Sequence, residues 1–297
     1  MTSFREFYVP PGAGSNFIAG KCIWTNEANL NIQHGQDHDT NLLTNEFYFQ
    51  REKIWNDSVV HTTGSIGIEI FESFEADEDL ILETKRMKPL LIELHEYINT
   101  SRSERPVVIN NIEHLWRGDW TMHTHCFFER PNRELEQNER ATYLATQAQD
   151  FFAQCREYYF KLCEQHNWKS HIITHQHPYD AISPRIKLPK NFKSLAMELD
   201  EMTHEITRTL DDIKNNLKLE DFRKDNFSQR SNSCTEFADD IVSYKKIFIE
   251  NNEDEIRKVY EFFGNEEYFD ENKMVIMKEY KEYNDNNMKL IQRVIIE

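Results

Sequence analysis

The sequence predicts an α/β fold built on a central, mostly parallel sheet with a helical C-terminus, and three observations carry that expectation. Short β-branched or aromatic runs alternate with segments of helical period, as in residues 170–176 against 133–166 and residues 192–199 against 200–217. The segments between strands are long enough for crossovers, which parallel strands need and tight hairpins do not. The first strand also runs directly into a glycine turn, "PPGAGSNF" (10–17), and then into a helix-like apolar pattern.

Taken in order, residues 4–10 alternate aromatic and β-branched side chains and predict a short strand, with a helix over 15–24. Residues 26–49 are polar and rich in Asn, Asp and His, and predict loop with short helical pieces. "SVVHTTGSIGIEIF" (58–71) predicts a strand or hairpin, and 77–100 has helical spacing interrupted by Pro89. Residues 105–110 and 120–128 predict short strands. A long helix follows from about Arg133 to His166, with Leu144, Phe151 and Cys155 on its apolar stripe. Strands over 170–176 and 192–199 and a helix over 200–217 complete the middle. After a polar stretch come "DIVSYKKIF" (240–248), an amphipathic helix stopped by Gly264, and a final helix over about 270–292. No internal repeat and no linker stands out, so a single domain over 1–297 is expected.

Composition narrows the function. With 297 residues, 39% hydrophobic, the chain can bury a large core. Its formal charge of −17 opposes binding to nucleic acid or an anionic membrane by bulk attraction. An anionic ligand would therefore need a local field from backbone N–H groups and a few cations. The five cysteines are odd in number and widely spaced, without a Cys-x-x-Cys pair, which fits reduced thiols. No signal peptide precedes the first strand and no apolar run reaches membrane-spanning length, so a soluble, cytoplasmic protein is expected.

Two places suit chemistry. In the turn, Gly12 and Gly14 permit dihedrals closed to other residues and a close backbone approach to a ligand. Ser15 can cap the helix that follows, whose first N–H groups favour an anion. The bland alternative is a tight strand-to-helix connection that binds nothing. The second place is "THQHP" (174–178) at the end of a strand, where the imidazole of His175 or His177 can accept a proton near neutral pH. "MHTHC" (122–126) offers His123 and His125 as rivals. His34, Asp37, His38 and Asp39 are spaced closely enough for a metal, but no distal ligand set accompanies them, and no metal is expected.

The order of these pieces resembles the sulfotransferase family. There a Pro-x-x-Gly-[ST]-[ST]-aromatic turn follows the first strand, and "PGAGSNF" matches it at Pro11, Gly14, Ser15 and Phe17. A later strand ends in Thr-His-x-x-Pro, as "THQHP" does, and "FKSLAMEL" (192–199) falls at the distance of the family's next strand. "DIVSYKKIF…EDEIRKVYEFFG" resembles the family's closing strand and helix, with Tyr244 and Ile247 on its Tyr-x-x-Leu pair. The resemblance touches both ends of the chain and leaves a divergent, insertion-rich region over about 25–165.

What the resemblance implies is a P-loop-like three-layer fold. The activity implied is transfer of a sulfuryl group from 3′-phosphoadenosine 5′-phosphosulfate to a hydroxyl or amine of a small-molecule or glycan acceptor. Pro11, Gly12, Ala13, Gly14, Ser15, Asn16 and Phe17 would hold the phosphosulfate. His175 would be the base, with His177 or His125 assisting. Two features depart from the family. Its turn lysine is Gly12 here, and "DEMTHEITR" (200–208) stands where an Arg and a Ser would bind the 3′-phosphate. Thr207 and Arg208, or Arg223, Lys224 or Arg230, are the substitutes at hand. Two other classes stay open: a P-loop-like phosphotransferase using Mg-ATP, for which the lysine is missing, and a non-catalytic binding protein that keeps the fold.

Overall fold

In the computed structural model, the residues described are 3–10, 12–23, 59–63, 139–167, 169–174, 187–214, 235 and 238–296, with scattered positions between 79 and 93. The elements are β1 (Ser3–Tyr8), α1 (Ser15–Ile18, continuing as a π-helical turn over Ala19–Ile23), β2 (Val59–Thr63), α2 (Glu139–His166) and β3 (Lys169–Thr174). They continue with β4 (Phe192–Glu198), α3 (Glu201–Lys214), β5 (Asp240–Ser243), a π-helical turn over Lys245–Ile249, α4 (Glu253–Phe263) and α5 (Glu266–Ile296). The expected strands over 105–110 and 120–128 lie outside the described residues.

The five strands form one sheet in the order β2-β3-β1-β4-β5, and every pairing is parallel. The fold is thus of the α/β kind. β1 sits at the centre, paired on one side with β3 and on the other with β4. A central parallel strand is covered on both faces, which explains why Phe4, Glu6, Phe7 and Tyr8 are all buried. β5 pairs with β4 from Leu195 opposite Asp240 onward. Just before it, the Asp239 carboxylate accepts from the backbone N–H of Ser194, at 2.8 Å, and from its hydroxyl.

The chain divides into two compact units. The first comprises Met1–Thr63, Trp168–Gln176 and Asn191–Glu297, and holds the sheet, α1, α3, α4 and α5. Its core joins Phe7 and Val9 to Leu195, Met197 and Val242 from the neighbouring strands. α4 contributes Ile256, Val259, Tyr260 and Phe263, a spacing of i, i+3, i+4, i+7 that makes one apolar face. Its ends follow local rules. The Asn252 side chain caps the start by accepting from the Glu255 N–H, and Gly264 ends it in the left-handed region at φ 76°. α5 adds Phe269, Ile276 and Tyr280, and it starts at Glu266, four residues before the sequence expectation.

The second unit comprises Gly64–Asn167 and His177–Lys190. In it α2 buries Leu144, Phe151, Phe160 and Cys163. Arg140 on α2 makes a two-pronged pair with Glu93, at 2.8 and 2.7 Å. The described positions between 79 and 93 are helical.

Candidate functional site

Tyr8 at the end of β1 lies level with Thr174 of β3 and Ala196 of β4, so these strands deliver their exits to one edge. From β1 the chain goes on to β2 at one side of the sheet, and from β4 to β5 at the other. Where neighbouring parallel strands send their connections apart, a crevice opens outside their carboxyl ends, and ligands collect there. The glycine turn after β1 and the beginning of α3 after β4 both stand at that point.

The turn is tight. The Ala13 N–H donates to the Pro10 carbonyl at 3.1 Å, and the Gly14 carbonyl accepts from the Ile18 N–H at 2.9 Å, which starts α1. Gly12 and Gly14 have φ of 76° and 82°, a region that L side chains rarely enter. The structure therefore needs glycine at both positions for backbone reasons.

Packing closes the turn further. A Cβ on Gly12 would lie 2.0 Å from the carbonyl oxygen of Thr207, in α3. A Cβ on Gly14 would meet the Tyr283 hydroxyl at 3.0 Å and the Phe248 ring at 3.3 Å. Ala13, Gly14 and Ser15 are buried. The structure thus joins two sequence candidates, Gly12 and Thr207, as a backbone-to-backbone contact. The Thr207 hydroxyl is committed to its own helix, donating to the His204 carbonyl at 3.1 Å. Arg208 follows it. Its Nε is buried without a hydrogen-bond partner among the described residues, and its Nη2 stands 4.0 Å from a Glu205 carboxylate oxygen.

Phe17 belongs to the core. Its ring stacks on Tyr283 (centroids 4.2 Å, 20°) and meets Tyr280 edge-on at 4.8 Å. Tyr244 and Ile247, at the end of β5, are likewise buried. Pro11, His125, His175 and His177 lie outside the described residues, as do His34, Asp37, His38 and Asp39. Asn16 falls within α1, and its side chain is outside them too.

Three residues here carry roles that the sequence reading did not assign. Asp200 caps α3: its Oδ1 accepts from the Thr203 N–H at 2.8 Å, while the Thr203 hydroxyl accepts from the Asp200 N–H at 2.9 Å. The N–H and hydroxyl of Thr203, with Lys245 nearby, hold the Asp200 carboxyl below its ordinary range. Asp-x-x-Thr before a helical run is a signal that could have found it. Tyr283 reaches the turn from the far end of the chain, and only its spacing with Tyr280 hinted at a shared face. Cys22 sits fully buried with Sγ 3.3 Å from the Tyr280 hydroxyl, and burial pushes its thiol up to about 12.

Among the described residues, no three His, Cys, Asp or Glu side chains come together as metal ligands, and no helix is long and apolar enough to cross a membrane. Fold and site together define a parallel α/β protein with a glycine turn at the switch point of its sheet. No protein family, curated protein or solved structure matches the chain.

Proposed function

We propose that the protein is a sulfuryl-transfer enzyme of the sulfotransferase type, with the Gly12–Phe17 turn as its donor site. The observation that carries this reading is the turn itself: two glycines at positive φ, at the carboxyl end of the central strand, where the connections of β1 and β4 part. The wholly parallel sheet supports the P-loop-like, three-layer version of the fold as part of the same proposal. The residues fit an anionic donor in their backbone and lack a cation in the turn. Arg208, beside the Thr207 that touches Gly12, has a buried Nε with no described partner and is assigned the 3′-phosphate.

In this scheme the turn aligns the phosphosulfate for in-line attack. His175 follows Thr174 at the end of β3 and takes the proton of the acceptor hydroxyl or amine. The new O–S or N–S bond forms as the S–O bond to the 5′-phosphate breaks, leaving 3′-phosphoadenosine 5′-phosphate. Backbone donors carry the charge that a turn lysine would otherwise share.

A second reading has its own observation. Gly12 is backed by Thr207, Gly14 by Tyr283 and Phe248, and Phe17 is enclosed in aromatic rings, so these residues already have packing roles. That favours a non-catalytic protein keeping the fold. Thermal shift separates the possibilities. A ligand at a hundred times its Kd adds about 2.7 kcal/mol, which raises Tm by roughly 4 °C for a chain of this size. The enzyme reading expects that rise with 3′-phosphoadenosine 5′-phosphate and none with Mg-ATP. A rise with Mg-ATP alone indicates a phosphotransferase, and no rise with either indicates the non-catalytic protein.

A further inference from the structure

α5 sends two tyrosines, three residues apart, toward the first strand-turn-helix unit, and they end differently. Tyr280 is 1% exposed and its hydroxyl is engaged with the Cys22 thiol. Tyr283 is half-buried, its ring is held against Phe17 and Phe248, and its hydroxyl comes to the Gly14 backbone, 3.0 Å from where a Cβ would be. No described group is hydrogen-bonded to that hydroxyl. Phe248 fills the neighbouring space without one, so packing alone does not call for a phenol here. A hydroxyl on a rigid, stacked ring is an O–H donor placed at low entropic cost, and an oxyanion is the acceptor that strengthens such a bond most.

Resting on the donor-site reading, we infer that Tyr283 is a further binding residue of that site: its hydroxyl donates to an oxygen of the anionic group seated on the Gly12–Ser15 turn. The C-terminal helix then completes the site instead of only covering the core, and Tyr283 supplies part of the polarity that the missing lysine leaves to others. The contact is a hydrogen bond only, and no proton is transferred.

The test is the affinity for 3′-phosphoadenosine 5′-phosphate, measured by calorimetry on the full chain. Tyr283→Phe keeps the stack on Phe17 and removes one oxygen, so its melting temperature without ligand should stay close to that of the parent. Its affinity should fall about tenfold or more, the usual loss for a hydrogen bond to a charged group. Tyr280→Phe, whose hydroxyl meets Cys22 and not the turn, should bind as the parent does. Equal affinity of Tyr283→Phe and the parent overturns the inference and leaves the donor site standing. If the parent itself does not bind the nucleotide, the donor-site reading has failed and this inference fails with it.

Discussion

The carbonyl oxygen of Thr207 fills the space that a side chain at residue 12 would need, 2.0 Å from the Cβ position of Gly12. This contact gives the glycine at position 12 a structural reason, because the backbone that brings α3 against the turn excludes any side chain there. Gly264 offers the matched control, with the same φ of 76° and nothing within 4 Å of its Cβ position. Gly264→Ala should cost about 1 kcal/mol of unfolding free energy, from left-handed strain alone. Gly12→Ala should cost about 3 kcal/mol, strain plus overpacking against backbone. Gly12→Lys should lose at least as much as Gly12→Ala. Urea unfolding of the variants checks this, and equal losses at 12 and 264 would show that Thr207 does not close the turn.

Much of this frame was legible in the sequence, because it rests on local rules. β1, β4 and α4 follow from alternation, helical spacing, the Asn252 cap and the Gly264 stop, each written within a dozen residues. The glycine turn was equally visible. The contacts that decide what the turn can do were not. Gly12 and Thr207 touch through atoms that every residue has, so no side-chain pattern records the pair. Gly14 and Tyr283 lie at opposite ends of the chain. The π-helical turn over Lys245–Ile249, which buries Ile247 and Phe248, has no propensity signature either.

The cap of α3 gives a pH dependence with a definite sign. The Asp200 carboxyl titrates lower in the folded chain than in the unfolded one, held down first by the Thr203 N–H and hydroxyl. Its contribution is complete above the unfolded value of about 3.9 and is lost as pH falls through the folded value. Asp200→Ala should cost about 1 kcal/mol at pH 7 and progressively less below pH ~4. Urea midpoints of parent and variant across that range should converge, and a constant difference would rule the cap out as the cause.

Cys22 predicts the opposite slope at high pH. Its thiol is raised to about 12 by burial, so the folded chain keeps a proton that the unfolded chain releases near 8.5. That part of the stability is present below about 8.5 and drains away as pH rises toward the folded value. Cys22→Ala should weaken the dependence of the urea midpoint on pH above about 9. In the folded protein Cys22 and Cys163, both buried, should resist iodoacetamide at pH 8 and react once the chain unfolds in urea. Rapid labelling of Cys22 without denaturant would contradict its burial.

The chemistry assigned to His175 is tested by His175→Ala. Transfer of sulfate to an acceptor should be abolished while affinity for 3′-phosphoadenosine 5′-phosphate stays within about threefold of the parent, since the base touches acceptor and not donor. If transfer survives this change and disappears in His125→Ala, the base is His125 instead.

The central claim is that the glycine turn holds the donor, and the turn's own amides report on it most directly. The chain has eight glycines, so selective ¹⁵N-glycine labelling leaves a spectrum simple enough to assign by single substitutions. With 3′-phosphoadenosine 5′-phosphate added to saturation, the Gly12 and Gly14 amide resonances should move strongly, while that of Gly264 at the end of α4 stays in place. Nucleotide binding that leaves the Gly12 and Gly14 resonances where they were, or no movement of any glycine resonance, would contradict the account.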